Sequence, residues 1–300
     1  MAILINENTK VLVQGITGRE GMTRAKLMMD YGTKVVAGVT PGKGNQTVLD
    51  VPVFDTVQEA TENVDGINTS VIFVPAPLVK NAALEAIDAG IKLLVIVPDR
   101  VPIYDVLEIA HGAKKAGANF VGPNTLGLVS VDIGVLGMMG GRAKTAKEWF
   151  KKGPVGVTSR SGGITSSIAY YLSRSGIGLS SIVHVGGDAI VGMPHPEVVK
   201  QFEQDDDTKA VVMFGEIGTT QEEQVADLIE TGEFTKPLIA FIGGAAAKSG
   251  TRFSHAGAIV EGNRGTHASK VERLREVGAH IVQNFDDIPK VTADVLAKLN

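Results

Sequence analysis

The chain has 300 residues, 44% of them hydrophobic and 21% charged, with a formal net charge of −4 and no basic run. Those values exclude a disordered chain and a protein that grips nucleic acid through its phosphates. The absence of cysteine excludes disulfides, thiolate metal sites and a thioester carried on the chain's own side chains.

Such a length exceeds one ordinary core, so two domains are expected. Glycine stands at 36 residues, well above the usual ~7%, as close backbone approaches to a ligand require. The segment Met1 to Glu7 has no basic region ahead of an apolar core, and no apolar stretch reaches ~18 residues. A bacterial or archaeal cytoplasmic protein without membrane association is expected, or one already stripped of a transit peptide.

In chain order, Lys10 to Gln14 reads as a strand running into Gly15-Ile16-Thr17-Gly18-Arg19-Glu20-Gly21 and a helix through Met29. Strands follow at Thr33 to Val39, Pro52 to Phe54, Ser70 to Val74, Ile91 to Val97 and Ala118 to Val121, with helices at Val79 to Ala89 and Tyr104 to Ala116. This alternation predicts a doubly wound parallel sheet. From Gly127 to Gly153 the pattern loosens into glycine, methionine and scattered charge, which places the domain boundary there, ending at Lys151-Lys152-Gly153. A second alternation follows, with strands at Val155 to Thr158, Ser181 to Val185, Ala210 to Phe214, Pro237 to Ile242 and His280 to Val282. Its helices read at Thr165 to Ser175, Glu197 to Gln204, Gln221 to Thr231, Thr266 to Val277 and Ile288 to Leu299.

The first glycine loop is an incomplete dinucleotide fingerprint. Glycines 15, 18 and 21 are spaced three and three, where G-x-G-x-x-G needs two and three. The acidic residue that would hold ribose hydroxyls is also missing, because the end of the second strand reads Val39-Thr40-Pro41-Gly42-Lys43. A lysine between glycines suits an additional phosphate. A nucleotide with a pyrophosphate and a ribose phosphate, such as coenzyme A, fits both observations; the alternative for Lys43 is a surface lysine in a turn.

The second half carries a different set. Ser159-Arg160-Ser161-Gly162-Gly163 lies between a strand and a helix, so free N–H groups and the positive helix end suit an anion, with the Ser161 and Thr165 hydroxyls as further donors. A glycine turn with a serine cap is the plainer reading. Glu216, between glycines after another strand, is placed to hold one imidazole nitrogen of a histidine on the same edge, or else is simply solvated. His255 falls in the loop beyond the strand ending at Ile242, among small residues that leave room for a bulky ligand. An unperturbed imidazole, with a pKa of ~6.5, is largely neutral at pH 7 and able to attack phosphorus. The run Gly243 to Ser249 is not a P-loop, since that motif needs glycines at 242 and 247. If a phosphoryl group reaches His255, a partner therefore has to deliver it.

Seven motifs in order, Thr40-Pro41-Gly42-Lys43-Gly44, Val74-Pro75-Ala76-Pro77, Gly122-Pro123-Asn124, Ser159-Arg160-Ser161-Gly162, Gly186-Gly187-Asp188, Gly215-Glu216-Ile217-Gly218 and His255-Ala256-Gly257-Ala258-Ile259, resemble the α subunits of succinyl-CoA synthetases. The resemblance implies an α/β fold with an N-terminal Rossmann-like CoA-binding domain (1–130), a linker (131–152) and a flavodoxin-like parallel-sheet ligase domain (153–300). It implies an NDP-forming acid-CoA ligase that works reversibly through phosphohistidine at His255, with Glu216 as the histidine's partner. Thr17, Gly18, Arg19, Glu20, Lys43, Val97, Pro98 and Asp99 would meet CoA; Ser161, Gly162, Gly163 and Ser166 would meet phosphate or the acid. It further implies a β subunit of ATP-grasp fold binding Mg-ATP or Mg-GTP, and no metal held by this chain.

Departures from the family pattern leave the acid open. Ser166 stands where a tyrosine is usual, Val97-Pro98-Asp99 where Ile-Thr-Glu is usual, Leu126 where a proline is, and Ser254 where a glycine precedes the histidine. Ser-Arg-Ser-Gly-Gly is similar to ATP-citrate lyase and citryl-CoA synthetase, but those carry arginine where Ala189 stands. Succinate, citrate, malate or another small acid remain alternatives, as does a non-catalytic CoA-binding regulatory paralogue. An NAD-dependent oxidoreductase is disfavoured by the missing acidic ribose ligand.

Overall fold

The computed structural model describes residues 3–246 and 265–299. They form two units, one from Leu4–Lys147 with Ile190–Gly192, the other from Glu148–Ala189 and the described part of Met193–Asn300.

The first unit begins β1 (Val11–Gln14), α1 (Arg19–Tyr31), β2 (Val35–Val39), β3 (Thr47–Val48), β4 (Val51–Phe54), α2 (Val57–Asn63) and β5 (Thr69–Ile72). It continues through α3 (Val79–Asp88), β6 (Leu93–Ile96), α4 (Ile103–Ala116), β7 (Asn119–Val121), the hairpin β8 (Gly127–Ser130) and β9 (Gly134–Gly137), and α5 (Ala143–Trp149), whose last two residues, Glu148 and Trp149, belong to the second unit. The sheet order is β3-β4-β2-β1-β5-β6-β7, parallel except for β3 against β4. Buried on both faces, β1, β5 and β6 read as continuous apolar runs rather than alternating ones. Strand order reverses between β1 and β5, which opens a ligand crevice at their carboxyl ends.

Gly21 shows why the α1 loop must be glycine-rich. A Cβ there would lie 2.1 Å from the Gly15 carbonyl oxygen, so only glycine lets the helix seat this closely against the strand it follows. The stretch from Gly127 that the sequence pattern leaves irregular contains regular elements. Its hairpin has too few residues per strand to show a period, and a side chain outside it anchors it: Thr33 Oγ1 donates to Val135 O at 2.8 Å and accepts from Val135 N at 2.9 Å.

The second unit contains β10 (Lys152–Ser159), α6 (Gly162–Arg174), β11 (Leu179–His184), α7 (His195–Glu203), β12 (Ala210–Glu216) and α8 (Gln221–Glu230). Then come β13 (Leu238–Gly243), α9 (His267–Glu276), β14 (His280–Ile281) and α10 (Ile288–Ala297). The strands run parallel in the order β14-β13-β12-β10-β11. With α6 and α10 on one face and α7, α8 and α9 on the other, this is the flavodoxin-like arrangement. Its order reverses between β10 and β12, so the crevice opens beside Ser159 and Glu216.

Candidate functional site

Each unit presents one site at the carboxyl edge of its sheet. In the first, Gly18 caps α1 in extended conformation with no side-chain cap, which leaves first-turn N–H groups available to an anion. Gly18, Arg19 and Glu20 are exposed and Thr17 half-buried. Thr17 Oγ1 is 3.1 Å from Thr40 Oγ1, joining the loops after β1 and β2, and Glu20 pairs with Arg24 at 3.2 Å. Lys43 is exposed on a turn closed by Lys43 N to Thr40 O at 3.0 Å, and Asp55 Oδ1 fastens the same turn by accepting from Gly44 N at 2.8 Å. Val97 and Pro98 are half-buried beyond β6, while Asp99 is exposed and pairs with Arg100 at 3.3 Å. All eight residues expected at CoA thus lie along one sheet edge.

In the second unit the site is built around buried charge. Arg160, at the end of β10, is wholly buried, and its Nε donates to Glu216 Oε1 at 3.0 Å from the end of β12. Nη2 donates to Asp188 O at 3.0 Å and approaches Gly187 O at 3.5 Å, so one guanidinium joins three loops of the crevice. Its main chain is held too: Arg160 N donates to Phe214 O at 3.3 Å, and His184 Nε2 donates to Arg160 O at 3.0 Å. Glu216, for which solvation was the alternative, is 5% exposed.

Behind it stands a second pair. Glu222 Oε1 accepts from Glu216 N at 3.0 Å, and Glu222 Oε2 pairs with the fully buried Lys270. Lys270 Nζ also reaches Glu223 Oε2 at 2.8 Å and Thr219 O at 3.1 Å. Nearby, His195 Nδ1 lies 2.8 Å from Thr158 Oγ1 and its backbone N donates to Gln221 Oε1 at 3.0 Å. Burial, reinforced by the positive Arg160 and Lys270, pushes the His195 ring down to about 3.

The α6 terminus agrees only in part with the expected donors. Ser161 is its N-cap, without a side-chain cap, and Gly163 is exposed with no atom within 4 Å of where a Cβ would stand. Ser161 N itself donates to Ser159 Oγ at 3.1 Å. The Thr165 hydroxyl, expected as a further anion donor, instead donates to Ser161 O at 2.6 Å and is buried, because a threonine one turn into a helix bonds back to the preceding carbonyl. Ser166 Oγ makes the same bond to Gly162 O at 3.3 Å. His255 and Ser254 lie outside the described residues. The described residues flanking that segment meet the Glu216 loop: Gly243 pairs with Glu216 in the sheet, and Gly218 N donates to Gly265 O at 2.8 Å.

Sequence reasoning assigned no role to Arg160, Lys270, Glu222 or His195. Charged residues at strand ends and in amphipathic helices are ordinarily solvated, and only the tertiary structure buries these. The one available signal was an arginine set among small residues in Ser159 to Gly163.

Two doubly wound units, one of the dinucleotide type and one flavodoxin-like, define a CoA-ligase α/β protein, and two family descriptions match accordingly: a CoA binding domain over residues 6–99 and a CoA-ligase over residues 158–280. The chain is 46% identical over 296 residues to succinate–CoA ligase [ADP-forming] subunit alpha 2 of Archaeoglobus fulgidus, covering 99% of this chain and 100% of that one. It is 44% identical over 298 residues to the corresponding alpha subunit of Aquifex aeolicus, covering 99% and 95%. The chain belongs to the succinate–CoA ligase [ADP-forming] α-subunit family, whose members are acid–thiol ligases. Among solved structures, ATP citrate lyase from Methanothrix soehngenii in complex with citrate and coenzyme A shares the fold with a TM-score of 0.91 at 23% identity. The match covers 99% of this chain, which spans about half, 51%, of the lyase chain. No helix among the described residues is long and apolar enough to cross a membrane.

Proposed function

We propose that this chain is the α subunit of an NDP-forming ligase that joins succinate, or a related short acid, to CoA through a phosphohistidine at His255. In the ligating direction the γ-phosphoryl group of ATP or GTP passes to the His255 ring and NDP leaves. The phosphoryl group then moves to the acid's carboxylate, and the CoA thiolate attacks the acyl phosphate, displacing inorganic phosphate. Each step runs in reverse from acyl-CoA and phosphate. The nucleotide and its Mg²⁺ belong to a β subunit of ATP-grasp fold, and the complex is cytoplasmic.

The observation that carries this reading is the placement of Glu216. It is held at the strand-order reversal by Arg160, on a loop that meets both Gly243 and Gly265. His255 stands nine positions past Ala246 and ten before Gly265. At up to ~3.5 Å per residue, that length reaches the Glu216 carboxylate with ease. A carboxylate against one ring nitrogen fixes the tautomer, leaves the other as nucleophile and stabilises the charge that phosphorylation creates. Gly162 and Gly163 supply N–H groups to the phosphoryl oxygens at the helix end capped by Ser161, whose own N–H donates to Ser159 Oγ at 3.1 Å, and Ser166 borders the acid. Thr17 to Glu20, Lys43 and Val97 to Asp99 hold CoA: the α1 terminus suits its pyrophosphate, and the exposed Lys43 its ribose phosphate.

The test is phosphorylation of the complex with its ATP-grasp partner. ATP is expected to leave an acid-labile, base-stable phosphate on this chain that His255→Ala abolishes. Phosphate persisting in that variant, or catalysis by the isolated chain, would reject the reading.

A further inference from the structure

We infer that Arg160 binds the transferred phosphoryl group directly, through a guanidinium nitrogen that the fold leaves unused. An arginine carries five N–H donors in a rigid plane. Here Nε is engaged by Glu216 Oε1 at 3.0 Å and Nη2 by the Asp188 carbonyl at 3.0 Å. Nη1 is shut off from water and has no partner among the described residues. Buried polar groups are almost always hydrogen-bonded, and a charged donor left unmade is among the costliest exceptions, so a site that keeps one calls for a ligand to complete it.

Charge identifies the ligand. The buried side chains of Arg160, Lys270, Glu216 and Glu222 cancel in two ion pairs. With the partly exposed Glu223 also on Lys270, a dianion arriving here meets no net positive charge, and its compensation has to come from donors that the pairs do not use. Two sources exist on the same edge of the sheet. One is the first turn of α6, a 13-residue helix whose N-cap Ser161 makes no side-chain cap bond. The other is Nη1 of the residue that precedes that cap. Together they suit a tetrahedral phosphoryl dianion, whether as inorganic phosphate or carried on the protein. A lysine at 160 would keep the charge and lose the geometry, because an ammonium cannot hold a carboxylate, a carbonyl and an anion in one fixed plane.

The inference rests on the phosphoryl-transfer reading and is tested at a different step. The complex of this chain with its ATP-grasp partner is first dephosphorylated, and its affinity for inorganic phosphate is measured by calorimetry, together with the KM for phosphate in the acyl-CoA-cleaving direction and the KM values for CoA and the acid in the ligating direction. Arg160→Lys is expected to weaken phosphate by about 10- to 100-fold, the range for one lost charge-assisted hydrogen bond, with the KM for CoA within about 2-fold. If that variant does not fold, the decisive comparison is Arg160→Gln/Glu216→Gln against Glu216→Gln alone, since the double variant removes both members of the ion pair. A further loss of about 10-fold in the double variant supports direct binding. Equal phosphate affinity in the two would mean that Arg160 acts only by holding Glu216, and a loss falling on the acid's KM would assign Nη1 to the acid's carboxylate; either overturns the inference. Phosphate affinity is read without turnover, so a wild-type complex that fails to take phosphate from ATP rejects the underlying reading and leaves this measurement standing.

Discussion

Arg160 and Glu216 meet across the strand-order reversal of the second unit, Nε to Oε1 at 3.0 Å, with side-chain exposures of 0% and 6%. Arg160 follows β10 and Glu216 ends β12, strands that pair from Val155 with Ala210 to Ser159 with Phe214, so the register of two central strands sets the distance between them. That makes the ion pair a property of the sheet rather than of flexible loops. A carboxylate held this way keeps one orientation, as the proposed pairing with a histidine that changes charge requires.

Removing one member of this pair leaves a buried charge uncompensated. Glu216→Gln and Arg160→Gln are each expected to destabilise the second unit, the arginine variant by about 3–5 kcal/mol, and the double variant by clearly less than the sum of the two. Trp149, the chain's single tryptophan, packs on Tyr170 of α6 at 5.1 Å between ring centroids, so its fluorescence in a urea titration reports this unit. Additive losses would show that the two charges are solvated independently.

The sheets were legible from sequence for a physical reason. Parallel strands buried on both faces are short apolar runs, and the glycine loops after β1 and β10 mark where strands give way to helices. Helix α2, the β8 and β9 hairpin and α5 were not, because each is seven residues or fewer and is held by contacts distant in the chain, as Thr33 holds Val135. In the candidate sites, residue types and order were readable at Lys43, Glu216 and the Ser161 loop. The burial of Arg160, Lys270 and His195 was not, since nothing local distinguishes a charge that a distant carboxylate neutralises from one that water does. Thr165 shows the converse: its hydroxyl looked available and is engaged within its own helix.

Two glycines separate steric need from helix propensity. Gly21→Ala would place a Cβ 2.1 Å from Gly15 O and 2.8 Å from Gly15 C, both backbone atoms, so α1 has to move off β1. The first unit is expected to lose about 1–3 kcal/mol and CoA affinity to fall with it. Gly163→Ala meets nothing within 4 Å and keeps its N–H, so it is expected to stabilise the second unit by up to about 1 kcal/mol without loss of phosphate binding. Calorimetric melting of both variants, with CoA and phosphate titrations, checks the pair.

His195 sets a pH dependence of stability. Its ring is wholly buried, and burial holds its pKa at about 3 against 6.5 for the free side chain. Between those values the unfolded chain binds a proton that the folded one does not. Stability from this residue is therefore full above pH 6.5 and is lost progressively as the pH falls toward 3, at up to about 1.4 kcal/mol per pH unit. Between pH 7 and pH 5 the wild type is expected to lose about 2 kcal/mol more than His195→Gln, read by Trp149 fluorescence at each pH. Equal losses would show that the ring takes up a proton within the folded protein.

The proposed contact of Lys43 with the ribose phosphate of CoA is tested apart from the rest of the molecule. It is exposed on a turn fixed by Thr40 O and Asp55, with its charge at the end of β2 where a ribose-binding carboxylate would stand in an NAD site. Lys43→Ala is expected to raise the Kd for CoA by about 10-fold, equivalent to about 1.4 kcal/mol, and to change the Kd for dephospho-CoA, which lacks that phosphate, by less than about 2-fold. The wild-type preference for CoA over dephospho-CoA is expected to shrink as salt is raised, because an exposed charge pair is screened within a Debye length of about 8–10 Å. Calorimetric titration of both ligands into the wild-type and variant complexes decides it. An equal loss for the two ligands would move Lys43 from the ribose phosphate to the pyrophosphate or out of the site.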